Sequence, residues 1–99
     1  MDLPIRIDAE QIASFCPKHH LTKLAFFGSV LTDRFGPDSD VDVLFEYDPD
    51  HIPSLFDVVR MERELSEILG RKADMRTPQD LSRYFRDEVV RYAVVQYVA

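Results

Sequence analysis

Two short stretches carry residue types that can do chemistry together. Gly28-Ser29 lies ahead of Asp40-Val41-Asp42, with ten residues between the pairs. Successive side chains on a strand point to opposite faces, so Asp40 and Asp42 share one face while Val41 and Val43 take the other. The valines can then enter a core while both carboxylates project together. Two like charges that close repel unless a cation sits between them. Mg²⁺ suits such a pair, because it prefers hard oxygen ligands and is often held by a few carboxylates plus substrate phosphates. Glycine where a strand turns into a helix lets a ligand approach the backbone, and the N–H groups that follow favour an anion. The Ser29 hydroxyl adds a donor. Phosphate and metal sites would then be neighbours, as a nucleoside triphosphate bound through Mg²⁺ requires.

A two-metal displacement wants one more carboxylate on the metal that activates the attacking oxygen. Asp74 is the natural choice, since Ala73 and Met75 beside it face the other way on a short strand. Each feature alone is weak: an Asp-x-Asp is commonly a loop or a strand end, and a lone Gly-Ser is nearly uninformative. Their combination is far more specific. Asp38 has the right parity but follows Pro37 in a loop, and is treated as flanking.

The elements that must position these residues can be traced along the chain. Asp8 caps a helix from residue 9 to about 16, closed by Pro17. Residues 21–27, LTKLAFF, form a strand running into Gly28, and residues 40–47, DVDVLFEY, form a second. Residues 29–34 form a short helix between them. The clearest helix covers residues 54–69, with a capping box from Ser54 to Asp57 and Gly70 as its stop. Its apolar face is Leu55, Val58, Val59, Leu65, Ile68 and Leu69. Residues 72–76, KADMR, form a third strand, and TPQD opens a further helix with Thr77 as cap and Pro78 first inside. Residues 87–98 are ambiguous, since their five valines also favour strand. Helix is preferred because Val89, Val90, Ala93, Val94 and Tyr97 form one stripe. Tyr92 and Val95 then face away, and the segment with Tyr92, Val95 and Tyr97 is the candidate docking surface for a partner.

Ninety-nine residues suffice for one domain, 1–99, with one modest core. The fold class is α/β (α+β), a small mixed sheet flanked by helices. A net charge of −6 argues against a free-standing nucleic-acid binder, since phosphate backbones are held mainly by Lys and Arg. Neither a bilayer-spanning apolar run nor a signal-peptide pattern is visible, so a cytoplasmic location without membrane contact is expected. Cys16 has no partner for an internal disulfide and is assigned to packing. His19, His20 and His51 have no ligand spacing and receive no role.

The stretch FFGSVLTDRFGPDSDVDVLFEY, followed by KADMRTPQDL, resembles the minimal nucleotidyltransferases of the DNA polymerase β-like superfamily. It is most similar to the antitoxin members paired with a helical HEPN ribonuclease toxin. The likeness runs from about Leu21 to Val98. It implies a minimal polymerase β-like fold, with Gly28 and Ser29 as the triphosphate contact. Asp40 and Asp42 become metal ligands, and Asp74 a third carboxylate and general base. Two Mg²⁺ ions and ATP as substrate follow from it. The implied reaction moves AMP onto a tyrosine hydroxyl of the toxin, neutralising it. One departure stands out: many relatives carry Arg-Gly where this chain has Thr32-Asp33, which leaves phosphate charge less compensated. Two rival readings remain open, an antitoxin that neutralises by binding alone and a small-molecule nucleotidyltransferase.

Overall fold

A computed structural model describes residues 3–99. In chain order it contains α1 (Ala9–Lys18), β1 (Leu21–Phe27), a 3₁₀ turn (Gly28–Leu31), β2 (Val41–Tyr47) and α2 (Leu55–Leu69). These are followed by β3 (Ala73–Arg76), a second 3₁₀ turn (Pro78–Asp80), α3 (Arg86–Tyr92) and β4 (Val94–Val98). The four strands form one mixed sheet in the order β3-β2-β1-β4. β1 pairs antiparallel with β2 and with β4, whereas β3 lies parallel to β2. That parallel pair needs a crossover, and α2 supplies it. The expected fold class, a small mixed sheet flanked by helices, is what the chain adopts. No helix among the described residues is long and apolar enough to cross a membrane.

Alternation along the strands builds the core. Leu24 and Phe26 of β1, Val41, Val43 and Phe45 of β2, and Ala73 and Met75 of β3 are all buried. They meet Ile12 and Phe15 of α1 and Met61, Leu65 and Leu69 of α2 in one cluster. Cys16 is buried there too, and burial pushes its thiol up to about 12, so it packs as a small apolar side chain. The two helices are also tied at the surface: Glu64 of α2 receives Lys18 and the His19 ring, each at 2.6 Å. Those partners, Lys18 first, hold the Glu64 carboxyl below its ordinary value.

Capping follows the sequence closely in α2. The Ser54 N–H donates to Asp57 Oδ2 at 2.9 Å, the Asp57 N–H donates back to Ser54 Oγ at 3.1 Å, and Gly70 closes the helix in the left-handed region. Asp8 likewise accepts from Glu10 and Gln11 at the start of α1. α1 runs past the expected end to Lys18, with Pro17 inside its last turn, where the missing N–H forfeits a single bond.

Further expectations differ from the structure. The buried stripe of α2 is Met61, Leu65 and Leu69, while Leu55 and Val59 are exposed. Apolar periodicity reveals a stripe, but the i, i+4 run from Met61 determines which side of it meets the sheet. The helix opened by TPQD stops after one 3₁₀ turn, because Leu81 is extended. The Arg86 side chain secures that turn by donating to the carbonyls of Pro78 at 2.7 Å and Leu81 at 3.1 Å. Residues 87–98 divide between the end of α3 and strand β4. The valines prevail as strand formers there, because β1, whose Leu24, Ala25 and Phe26 are fully buried, takes a partner on each side.

α2 also closes the outer edge of β3. The Ala73 N–H donates to Ser66 Oγ at 2.9 Å and the Met75 N–H to Glu62 Oε2 at 2.7 Å. Glu62→Ala should therefore lower the unfolding free energy in urea titrations by about 1–2 kcal/mol and speed amide exchange at Met75. Glu67→Ala, on the exposed side of the same helix, should change stability by less than about 0.5 kcal/mol.

Candidate active site

β1 ends beside β2 with Phe27 opposite Asp42, and the chain then turns at Gly28. Gly28 has φ +75°, in the region that favours glycine. A Cβ at this position would also overlap Asp42 Oδ2, so the turn and the carboxylate are in direct apposition. The expected short helix over residues 29–34 contracts to one 3₁₀ turn, Gly28–Leu31, anchored by buried Val30. Thr32 closes it: its N–H and its hydroxyl both donate to the Ser29 carbonyl at 2.9 Å. So short a turn has little macrodipole, and its contribution is local N–H groups. The Ser29 backbone N–H interacts with the Asp42 carboxylate.

Across the parallel pair, Asp42 stands in register with Asp74. Both lie on the sheet face opposite Val41, Val43, Ala73 and Met75, which are buried in the core. Asp40 sits one residue before β2 begins, exposed, with Oδ2 4.0 Å from Lys72 Nζ. Asp74 Oδ2 lies 3.2 Å from the Arg76 guanidinium. Local cations thus draw two of the three acids toward the flanks of β3. Asp42 has no such partner. Its carboxyl is pushed above the ordinary Asp value, first by burial, then by Asp74 and, more weakly, by Asp40; Arg76 and the Ser29 amide oppose the rise.

Two clefts lie nearby, one at Gly28 and one at Asp74. One, about 400 Å³, is lined by Phe27, Gly28, Leu31, Phe85, Val89 and Tyr92. The other, about 650 Å³, is walled by Asp74 and Arg76 on one side and by Leu55, Val58 and Val59 of α2 on the other. Phe85 and Val89 escaped notice as neighbours of Gly28, since nothing in residue spacing announces an approach across more than fifty positions. Tyr97, expected in the docking surface, packs against the core instead, while Tyr92 and Val95 are exposed.

Among the described residues, no group of three or more His, Cys, Asp or Glu side chains converges closely enough to enclose a metal ion unaided. The donor set nevertheless suits Mg²⁺. Asp42 is a hard oxygen donor whose ionised form lacks a compensating cation of its own, with Asp74 and Asp40 adding like charge. A cation that takes one or two carboxylates and completes its shell with phosphate oxygens and water needs no closed protein cage.

Known proteins resemble this chain in sequence and in fold. The nucleotidyltransferase domain family matches residues 9–96. The "Putative protein adenylyltransferase MJ0435" of Methanocaldococcus jannaschii is 32% identical over 77 residues, covering 78% of this chain and 81% of the relative. A solved structure described as a "putative minimal nucleotidyltransferase" superimposes with a TM-score of 0.71 at 29% identity, over 87% of this chain and 86% of the other. A "toxin-antitoxin with AMP-PNP" gives a TM-score of 0.73 over 94% of this chain and 75% of the other; at 15% identity that likeness concerns the fold. The resemblance to minimal nucleotidyltransferases is borne out.

Folding raises the Asp42 pKa, so the native state disfavours its ionised form. That penalty is complete above the folded pKa and absent below the unfolded value of about 3.9. In metal-free buffer, Asp42→Asn should consequently raise the thermal midpoint at neutral pH, with the gain disappearing as pH falls below that range. Gly28→Ala should destabilise by about 1–2 kcal/mol, read by the same melts, from backbone strain and displacement of the carboxylate.

Proposed function

This chain belongs to the nucleotidyltransferase domain family, and from that premise we propose that it transfers AMP from ATP to a tyrosine hydroxyl of a HEPN ribonuclease toxin in the cytoplasm. The observation that carries the reading is the apposition of three features. Asp42 lies over a positive-φ glycine, in register with Asp74 on the neighbouring parallel strand. Polyphosphate and acceptor oxygen need such neighbouring sites, one offering close backbone approach and the other a carboxylate.

Gly28, with no side chain to obstruct it, admits the triphosphate against the turn, and the Ser29 hydroxyl contributes a donor to its oxygens. Asp40 and Asp42 would hold Mg²⁺, with Asp74 on the acceptor side. When bound, magnesium supplies charge neutralisation of the phosphates and favours the phenolate of a tyrosine whose ordinary pKa is about 10. Asp74 accepts the phenolic proton and passes it to water. A bond forms between the tyrosine oxygen and the α-phosphorus, and the bond from that phosphorus to the bridging oxygen breaks. Pyrophosphate leaves with its electron pair. The product carries an added negative charge and the bulk of a nucleotide, which obstructs a site that must accept RNA phosphates.

The charge left uncompensated by Thr32-Asp33 keeps neutralisation by binding alone as the rival. Arg76, the nearest cation to the acids, is engaged by Asp74. Incubation with α-labelled ATP, Mg²⁺ and the purified product of the neighbouring gene should place label on that protein at a tyrosine. Asp42→Asn and Asp74→Asn should each reduce labelling by about 10²-fold or more. Inhibition of the toxin without label would establish steric neutralisation, and label only on a small hydroxyl compound would establish the small-molecule enzyme.

A further inference from the structure

The loop that enters β2 is held by a side chain from a distant part of the chain. Arg71 lies in the turn between α2 and β3, three residues before Asp74. Its Nη2 donates to the Gly36 carbonyl at 2.7 Å and to the Ser39 carbonyl at 2.6 Å. The same guanidinium lies 4.4 Å from the centre of the Phe35 ring, and Phe35 packs against the core. The loop also closes on itself. The Gly36 N–H donates to Ser39 Oγ at 2.9 Å, and the Ser39 N–H donates to the Gly36 carbonyl at 3.1 Å. Asp40 follows Ser39 directly, and the Val41 N–H then donates to the Lys72 carbonyl at 2.8 Å where β2 meets β3.

We propose that Arg71 is the positioning residue for Asp40, joining the loop that presents this acid to the strand that carries Asp74. The role rests on Asp40 acting as a metal ligand. Asp40 needs such support more than the other two acids do. Asp42 and Asp74 lie within paired strands, whereas Asp40 stands one residue before β2, exposed, after a loop containing Gly36 and Pro37. Lys72 Nζ, exposed and 4.0 Å from Asp40 Oδ2, is too distant to fix the carboxylate by a hydrogen bond. A guanidinium suits the task better than an ammonium, because its planar fork bonds several acceptors at once and stacks on an aromatic face. The two carbonyls it holds lie at the two ends of the Gly36–Ser39 loop, so the loop cannot open without breaking one of those bonds. With Nη2 committed to both carbonyls, Arg71 acts through the aim of Asp40.

Arg71→Ala and Arg71→Lys test the assignment, with Glu64→Ala as a control that loosens the contact between α1 and α2. In metal-free protein, Arg71→Ala should speed amide exchange at Gly36 and Ser39 by about tenfold or more, as loss of hydrogen bonds from a charged donor implies. Exchange at Met75 should hold. Mn²⁺, titrated by electron paramagnetic resonance with a non-hydrolysable ATP analogue present, should bind about tenfold more weakly, the scale seen when support behind a metal ligand is lost. The Mg²⁺ concentration that half-saturates label transfer should rise in step, while Glu64→Ala should match wild type in both metal readouts. Arg71→Lys should keep most of the defect, because it retains the charge without the fork. Wild-type metal affinity in Arg71→Ala, or full recovery in Arg71→Lys, overturns the positioning role while leaving the transfer reaction intact. A wild-type chain that binds no Mn²⁺ and transfers no label removes the reading beneath it, and the role of Arg71 with it.

Discussion

Repulsion between two carboxylates held side by side is the constraint around which this small sheet is arranged. Parallel pairing of β2 with β3 sets Asp42 opposite Asp74, and no relaxation along the strands can separate them without breaking the ladder. Their backbones are fixed by the core face, where Val41, Val43, Ala73 and Met75 are buried. Burial first, and then the charge of Asp74, holds the Asp42 carboxyl above its ordinary value. A fold that keeps such a pair together is spending stability on a site, as functional sites commonly do.

The rest of the molecule serves that placement. β3 has four residues and one strand neighbour, too little to hold itself. It is retained because α2 delivers Ser66 and Glu62 to its outer N–H groups, and because the same helix buries Met61 and Leu65 beneath the sheet. On the other flank, Gly28 brings the chain against Asp42 at a distance that no other residue type permits. Thr32 closes the turn through the Ser29 carbonyl. Its side chain thus shapes the loop and adds no positive charge.

Much of this was legible in the residues themselves. Strand parity placed Asp42 and Asp74 on the face away from the valines, and local capping chemistry marked α2 from Ser54 to Gly70. These signals are local, set by a strand's period of two or by hydrogen bonds spanning three residues. What escaped depends on distant parts of the chain. Val94 to Val98 satisfy helical and strand patterns alike, and only the open side of β1 decides between them. The rotation of α2 was equally hidden, because Leu55 and Val59 look like core until the sheet is seen to meet Met61 and Leu65. The cleft beside Gly28 joins Phe27 to Phe85 and Val89, a proximity created by tertiary packing alone.

The bond from Met75 to Glu62 has one more implication. Glu62 sits one turn along α2 from Val58 and Val59, and Met75 is the immediate neighbour of Asp74. With the bond from Ala73 to Ser66, this one joins helix and strand between the exposed end of α2 and the backbone that carries Asp74. A load applied to the free end of the helix is carried directly into the backbone that aims the acid.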